Sequence, residues 1–166
     1  MLKKLPIWGE KVSSRAINFS WPSQKILDKL EPDAFLKSLQ FETAESFVAI
    51  SRVHCILSNG LKSPIFESKK LEFSSDSATV EFHQSRPVSA VIGIEDNDGS
   101  LMEIKFLDSV MKAIGSYNPY QERGKATMHR LAANEHLIGV YGVSNRKEWF
   151  TSFGFLVKAK QPSQSQ

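Results

Sequence analysis

Residues His129–Val157 read HRLAANEHLIGVYGVSNRKEWFTSFGFLV. Near the end of this stretch Phe153, Phe155 and Val157 alternate with Ser152 and Gly154, the period-two pattern of a strand with one buried face. Upstream, Leu137-Ile138-Gly139-Val140 is a glycine-bearing apolar run that passes through a polar loop into that strand. The same plan recurs earlier in the chain. Val91-Ile92-Gly93-Ile94 leads into Leu101–Leu107, where Met102, Ile104 and Phe106 alternate with Glu103 and Lys105. A weaker third copy ends in Arg52–Leu57, with Val53, Cys55 and Leu57 on one face. Three related antiparallel units predict pseudo-threefold symmetry.

Working outward, Ala78, Val80 and Phe82 form another alternating run, and Asn59-Gly60 and Asp98-Gly99 are two-residue turn signals because both residue types tolerate positive φ. The intervals between strands leave no room for helices. This excludes a parallel βαβ sheet and predicts a mostly-β antiparallel domain over residues 46–158, a sandwich, barrel or prism.

Residues 1–45 read differently, as an arm. Lys3, Lys4, Lys11 and Arg15 stand against one acid, Glu10, and Trp8 and Trp21 sit among Pro6, Gly9 and Pro22. Ser23 suits the N-cap of a short helix bearing Ile26, Leu27 and Leu30, and Pro32 suits the first turn of a second bearing Phe35, Leu36 and Leu39. Helices this short do not stand alone in water, so they lie on this chain's own core or on another protein. Two tryptophans tilt the expectation toward docking, through Trp8, Trp21, Leu27, Leu30, Phe35 and Leu39. Ala16–Phe19 is a candidate for one extra strand. Residues 159–166, AKQPSQSQ, read as a disordered polar tail.

The 166 residues are 41% hydrophobic and 23% charged with a net charge of +3, an ordinary composition for one globular domain and its extensions. One cysteine excludes an internal disulfide framework and a thiolate-rich zinc site, and Cys55, on the apolar face of its strand, reads as a buried inert thiol. No run of about 18 apolar residues spans a membrane. No apolar leader is present, so the expected location is cytoplasmic, including cytoskeletal or ciliary assemblies. The basic first residues keep a mitochondrial address as the alternative.

Nothing in the chain spells out a reaction. His54, His83, His129 and His136 show no metal-ligand spacing and read mostly as solvated strand or loop residues. In an EF-hand register over Glu95–Gly99 the first and last ligand positions fall on Ile94 and Lys105, so no calcium loop is expected. His54 and Cys55 are adjacent on a strand and face opposite ways, which excludes a dyad. No nucleophile elbow, phosphate loop or dinucleotide turn is present. The reading is a non-enzyme without cofactor or metal. Asn145-Arg146-Lys147 beside Trp149-Phe150 mixes base with aromatics, but Glu122, Glu135 and Glu148 dilute the charge, and nucleic acid is not an expected partner.

Two segments together resemble a jacalin-like lectin domain, a β-prism of three Greek-key sheets. Ser51–Phe66, SRVHCILSNGLKSPIF, is similar to the family's apolar strand, turn and Pro-aromatic loop, and His129–Val157 to its closing unit. Ala90–Leu107 fits a related unit more loosely. The resemblance covers roughly residues 47–158. It implies a β-prism, with twelve strands that this span is slightly short to supply. The family's sugar loop, GxxxD between the last two strands, is altered here: the glycine position falls near Asn145 and the aspartate position at Glu148 or Trp149. Asn145, Glu148 and Trp149 are thus the candidate carbohydrate contacts, with Glu148 accepting from hydroxyls and Trp149 stacking on a sugar face. A degraded sugar loop and an apolar arm together lead to an expected role as a non-enzymatic subunit of a larger protein assembly. Its partners are then other protein subunits, and carbohydrate binding is the alternative.

Overall fold

The computed structural model describes residues 2–9, 16–44, 50–67, 74–95, 101–117, 124–145 and 150–160. In chain order the elements are β1 (Leu2–Lys4), β2 (Trp8–Gly9), β3 (Ala16–Trp21), α1 (Gln24–Leu27), β4 (Leu36–Ala44), β5 (Ile50–Leu57) and β6 (Phe66–Glu67). There follow β7 (Ser74–Glu81), β8 (Ala90–Glu95), β9 (Leu101–Leu107), β10 (Ala113–Tyr117), β11 (Lys125–Arg130), β12 (Glu135–Asn145) and β13 (Phe150–Ala159).

The strands form three antiparallel sheets. One has the order β6-β5-β4-β7 and a second β10-β9-β8-β11. In each, a central hairpin is flanked by the two strands that follow it in sequence, the outer pair of a Greek key. The third sheet has the order β1-β13-β12-β3, with β2 also on β13. Its hairpin, β12–β13, is flanked by strands from the other end of the chain. Leu2 lies opposite Lys158 and Trp21 opposite Val140. The predicted threefold plan is therefore present, and the three copies recognised in sequence are the hairpins β4–β5, β8–β9 and β12–β13.

The reading of residues 1–45 as a helical arm is corrected. Four strands come from this stretch, and the only helix described in it is the one turn of α1, capped by Ser23 Oγ accepting from the Ile26 N–H. The expected strand at Ala16–Phe19 is present as β3. The second expected helix is β4. Leu36 and Leu39 fit a helical face, but a register shift between Leu36 and Ser38 conceals the alternation that resumes at Leu39 and Phe41, and pairing with both β5 and β7 decides the outcome. The tail reading extends two residues too far inward, since Ala159 pairs with Glu135 and the Lys160 N–H donates to the Asn134 carbonyl; residues 161–166 lie outside the described residues.

Aromatic rings fill the space where the sheets meet. Phe153 and Phe155 of β13 lie edge to face with centroids 5.3 Å apart. Phe155 reaches Phe106 of β9 at 5.5 Å, and Phe153 reaches Phe41 of β4 at 6.2 Å, so one strand touches both other sheets. Burying each such ring is worth roughly 1.5–3 kcal/mol. Cys55 is fully buried in this core and burial pushes its thiol up to about 12, in keeping with an inert role.

The repeated glycines have a packing reason. A Cβ on Gly93 would stand 2.5 Å from the indole of Trp8, and one on Gly139 would collide with the Trp21 carbonyl. In both copies the glycine lets an N-terminal tryptophan segment lie directly on the hairpin.

Candidate functional site

Two ends of the prism are candidates. The first is the end where β12 turns into β13. Asn145 closes β12 opposite Ala16, and Ser144 lies opposite Phe150 across a register shift. Glu148 and Trp149 lie outside the described residues, and for Asn145 only the backbone placement is described. The surrounding frame is well defined. The Gly9 N–H donates to the Glu95 carboxylate at 3.3 Å, fastening β2 to the end of β8. The Tyr141 hydroxyl donates to the Leu5 carbonyl, and Lys4 Nζ sits 5.0 Å from the centre of the same ring.

The expected docking residues are placed elsewhere. Trp8, Trp21, Leu27 and Leu39 are buried in this chain's own core, and Leu30 and Phe35 are half-buried, with Leu30 packed against it. The tryptophans that point to docking in the linear sequence, and the apolar residues after them, find their partners inside the fold. Their apolar surface is occupied by sheets of the same molecule.

The second candidate is the opposite end, where a groove opens between the turn over residues 31–35, the segment 82–88 and the start of β12. His136 and Asn145 are both on β12, nine residues apart, so roughly 30 Å separates the two ends. The larger chamber of the groove is about 450 Å³ and is lined by Glu31, Asp33, Phe35, Lys37, Asn59 and Gln84, among others. Past Phe82 and His83 it continues into a cleft reaching Val88, His136, Leu137 and Lys160.

Hydrogen bonds hold the groove wall. The Ala34 N–H donates to the Glu31 carbonyl at 3.0 Å and closes the turn. Phe35 and Ser58 exchange two bonds: the Phe35 N–H donates to Ser58 Oγ at 3.1 Å, and the Ser58 N–H donates to the Phe35 carbonyl at 2.9 Å. The Phe82 N–H donates to the Lys37 carbonyl at 2.7 Å.

His136 ties the turn to β12, its Nε2 lying 2.7 Å from the Ala34 carbonyl. Burial lowers its pKa; the Ala34 carbonyl opposes this, and Lys160 and Lys158 add to the lowering. The ring is therefore neutral at pH 7, with its proton on Nε2 facing the carbonyl, and Nδ1 is a buried acceptor with no hydrogen-bond partner. The reading of the histidines as mostly solvated is corrected here. His136 is buried and His129, half-buried, packs on Trp8 with ring centroids 4.7 Å apart. His54 is half-buried, and among the four only His83 is exposed.

The groove was missed in the sequence because its residues come from segments some fifty residues apart, and no local spacing joins them. Among the described residues no cluster of His, Cys, Asp or Glu is arranged to hold a metal ion, and no helix is long and apolar enough to cross a membrane.

No protein-family model and no curated protein matches this sequence. Solved structures do match in fold. The chain superposes on a prostate-specific WGA16 glycoprotein lectin with TM-score 0.64 at 12% identity, covering 94% of this chain and 100% of that one. With single-chain recombinant jacalin the TM-score is 0.63 at 15% identity, over 95% of each chain. With a mannose-binding jacalin-related lectin from Ananas comosus it is 0.58 at 16% identity, over 95% of this chain and 98% of that one. The fold of this chain is the β-prism of jacalin-related lectins, in a divergent sequence.

Proposed function

We propose that this chain is a non-enzymatic carbohydrate-binding domain that takes a sugar at the β12–β13 end of the prism. The observation that carries this reading is the correspondence along almost the whole chain with lectins of the same fold, one of them mannose-binding. The fold presents a hairpin loop there, and this chain's loop holds Glu148 and Trp149 beside Asn145. A carboxylate accepts from two sugar hydroxyls at once, an indole covers the apolar face of a pyranose ring, and a side-chain amide both donates and accepts. Glu148 replaces the family's aspartate with a side chain one methylene longer, which shifts the distance from backbone to sugar and hence the preferred sugar.

The role as a protein-complex subunit loses its main support, because four of its six anchors are in the core. Residues 2–4 and 8–9 form β1 and β2 within the prism, so the basic first residues are part of the fold.

The test is a glycan array followed by titration of bound monosaccharides, read by tryptophan fluorescence. The expected result is millimolar or tighter binding that Glu148→Ala abolishes. Absence of binding across the array, or binding indifferent to Glu148→Ala, sinks the proposal.

A further inference from the structure

We infer that the groove at the far end of the prism, between Asp33, Phe35, Gln84 and His136, is a second and independent saccharide site. It does not rest on the β12–β13 loop.

The shape suits a small ligand. A chamber of about 450 Å³ lies within the usual range of roughly 300–1,000 Å³ for ligand pockets.

The chemistry narrows the class. Glu31 and Asp33 contribute two negative charges, and Lys37 and Lys160 two positive ones, so these four side chains cancel. An anion would meet the carboxylates and a cation the ammonium groups. A purely apolar ligand would desolvate all four without replacing their hydrogen bonds. A neutral polyol satisfies both signs, because each hydroxyl both donates and accepts. Phe35 and Phe82 give an apolar wall for the C–H face of a sugar ring, with the Gln84 and Asn59 amides beside it.

One further feature separates this groove from an incidental dent. Its wall is pre-organised: the Ser58–Phe35 pair, the Phe82–Lys37 bond and the His136–Ala34 bond fix the turn before any ligand arrives.

The test uses the full chain, ¹⁵N-labelled, titrated with mannose, galactose, N-acetylglucosamine and mannobiose. The backbone amides of Ala34, Phe35, Ser58 and Gln84 are expected to shift with at least one of them. Asp33→Asn and Phe35→Ala are each expected to weaken that binding about tenfold or more, a loss of ~1.4 kcal/mol or above. Glu148→Ala is expected to leave it unchanged. Near-UV circular dichroism confirms that each variant keeps its packing, and Gln84→Ala, at an exposed position, serves if Phe35→Ala does not fold. If no sugar moves these amides, or if Asp33→Asn leaves their response unaltered, the inference fails. Shifts confined to the β12–β13 end would overturn this site and leave the first proposal standing. Shifts at the groove alone would do the reverse.

Discussion

The sheet β6-β5-β4-β7 is built from one contiguous stretch, residues 36–81, whereas the sheet β1-β13-β12-β3 joins residues 2–21 to residues 135–159. The Greek-key plan is the same in both. In the first, each outer strand pays a short loop-closure cost; in the second, the outer strands arrive from the far end of the chain. The lesson is that the N-terminal segment is no appendage. It is the second half of a Greek key whose first half is the C-terminal hairpin. The tryptophans of that segment pack across glycines of two different hairpins, so closing the third sheet also fastens the second.

The strongest way to break this comparison is to remove residues 1–22. Leu5, Trp8 and Trp21 leave the core, β12 and β13 lose their outer neighbours, and the chain is expected to lose its cooperative unfolding transition altogether. Adding residues 1–22 as a separate peptide should restore the transition, seen by circular dichroism and urea titration. A truncated chain that unfolds cooperatively on its own would refute the view that the third sheet needs both ends.

Next in size are the tryptophan–glycine contacts. Trp8→Ala is expected to cost about 3–5 kcal/mol in urea unfolding, as for a large buried aromatic. Gly93→Ala pushes a methyl against the Trp8 ring and is expected to cost about 1–3 kcal/mol. In the double variant the two losses should not add, because the added methyl no longer meets an indole. Full additivity would mean that Trp8 does not clamp β8.

The smallest effect sharpens the link between β12 and the turn over residues 31–35. His136 has its pKa lowered, chiefly by burial, from an ordinary value of 6.5. Its stabilising contribution is therefore whole above pH 6.5 and declines as pH falls through the lower folded value, because the unfolded chain binds the proton first. The urea midpoint should drop between pH 7 and pH 5. His136→Gln, which keeps a donor for the Ala34 carbonyl, should flatten part of that slope. His129 is also lowered, by burial against an opposing pull from Glu95, and supplies another part. A slope unchanged in His136→Gln would show that His136 is not a source of the pH dependence.

The sequence discloses the fold where a strand has one buried face and a near neighbour. The inward positions Val53, Cys55 and Leu57, Ile104 and Phe106, and Phe153 and Phe155 are all buried as their alternation predicts. Reading fails at β4, where a register shift breaks the period, and at β1 and β2, which are too short to show one. The edge strand β11 is mostly exposed, and in β10 only Tyr117 is buried, so no apolar alternation marks them. The candidate loop residues Glu148 and Trp149 follow from a family resemblance, because their spacing imposes no chemistry by itself. The far-end groove left no trace at all in the linear text, since it exists only once the turn after α1, the segment after β7 and the start of β12 are brought together.

The pairing of Leu2 with Lys158 has one more consequence. The first and last strands run side by side, so the backbone is nearly a closed ring with a nick in one edge. A short linker across that nick, with a new opening at the Asn59-Gly60 turn, would give a permuted polypeptide in which all three Greek keys keep their neighbours. For such a molecule the place where the ring is cut is arbitrary, and the order of strands around the ring is what the fold requires.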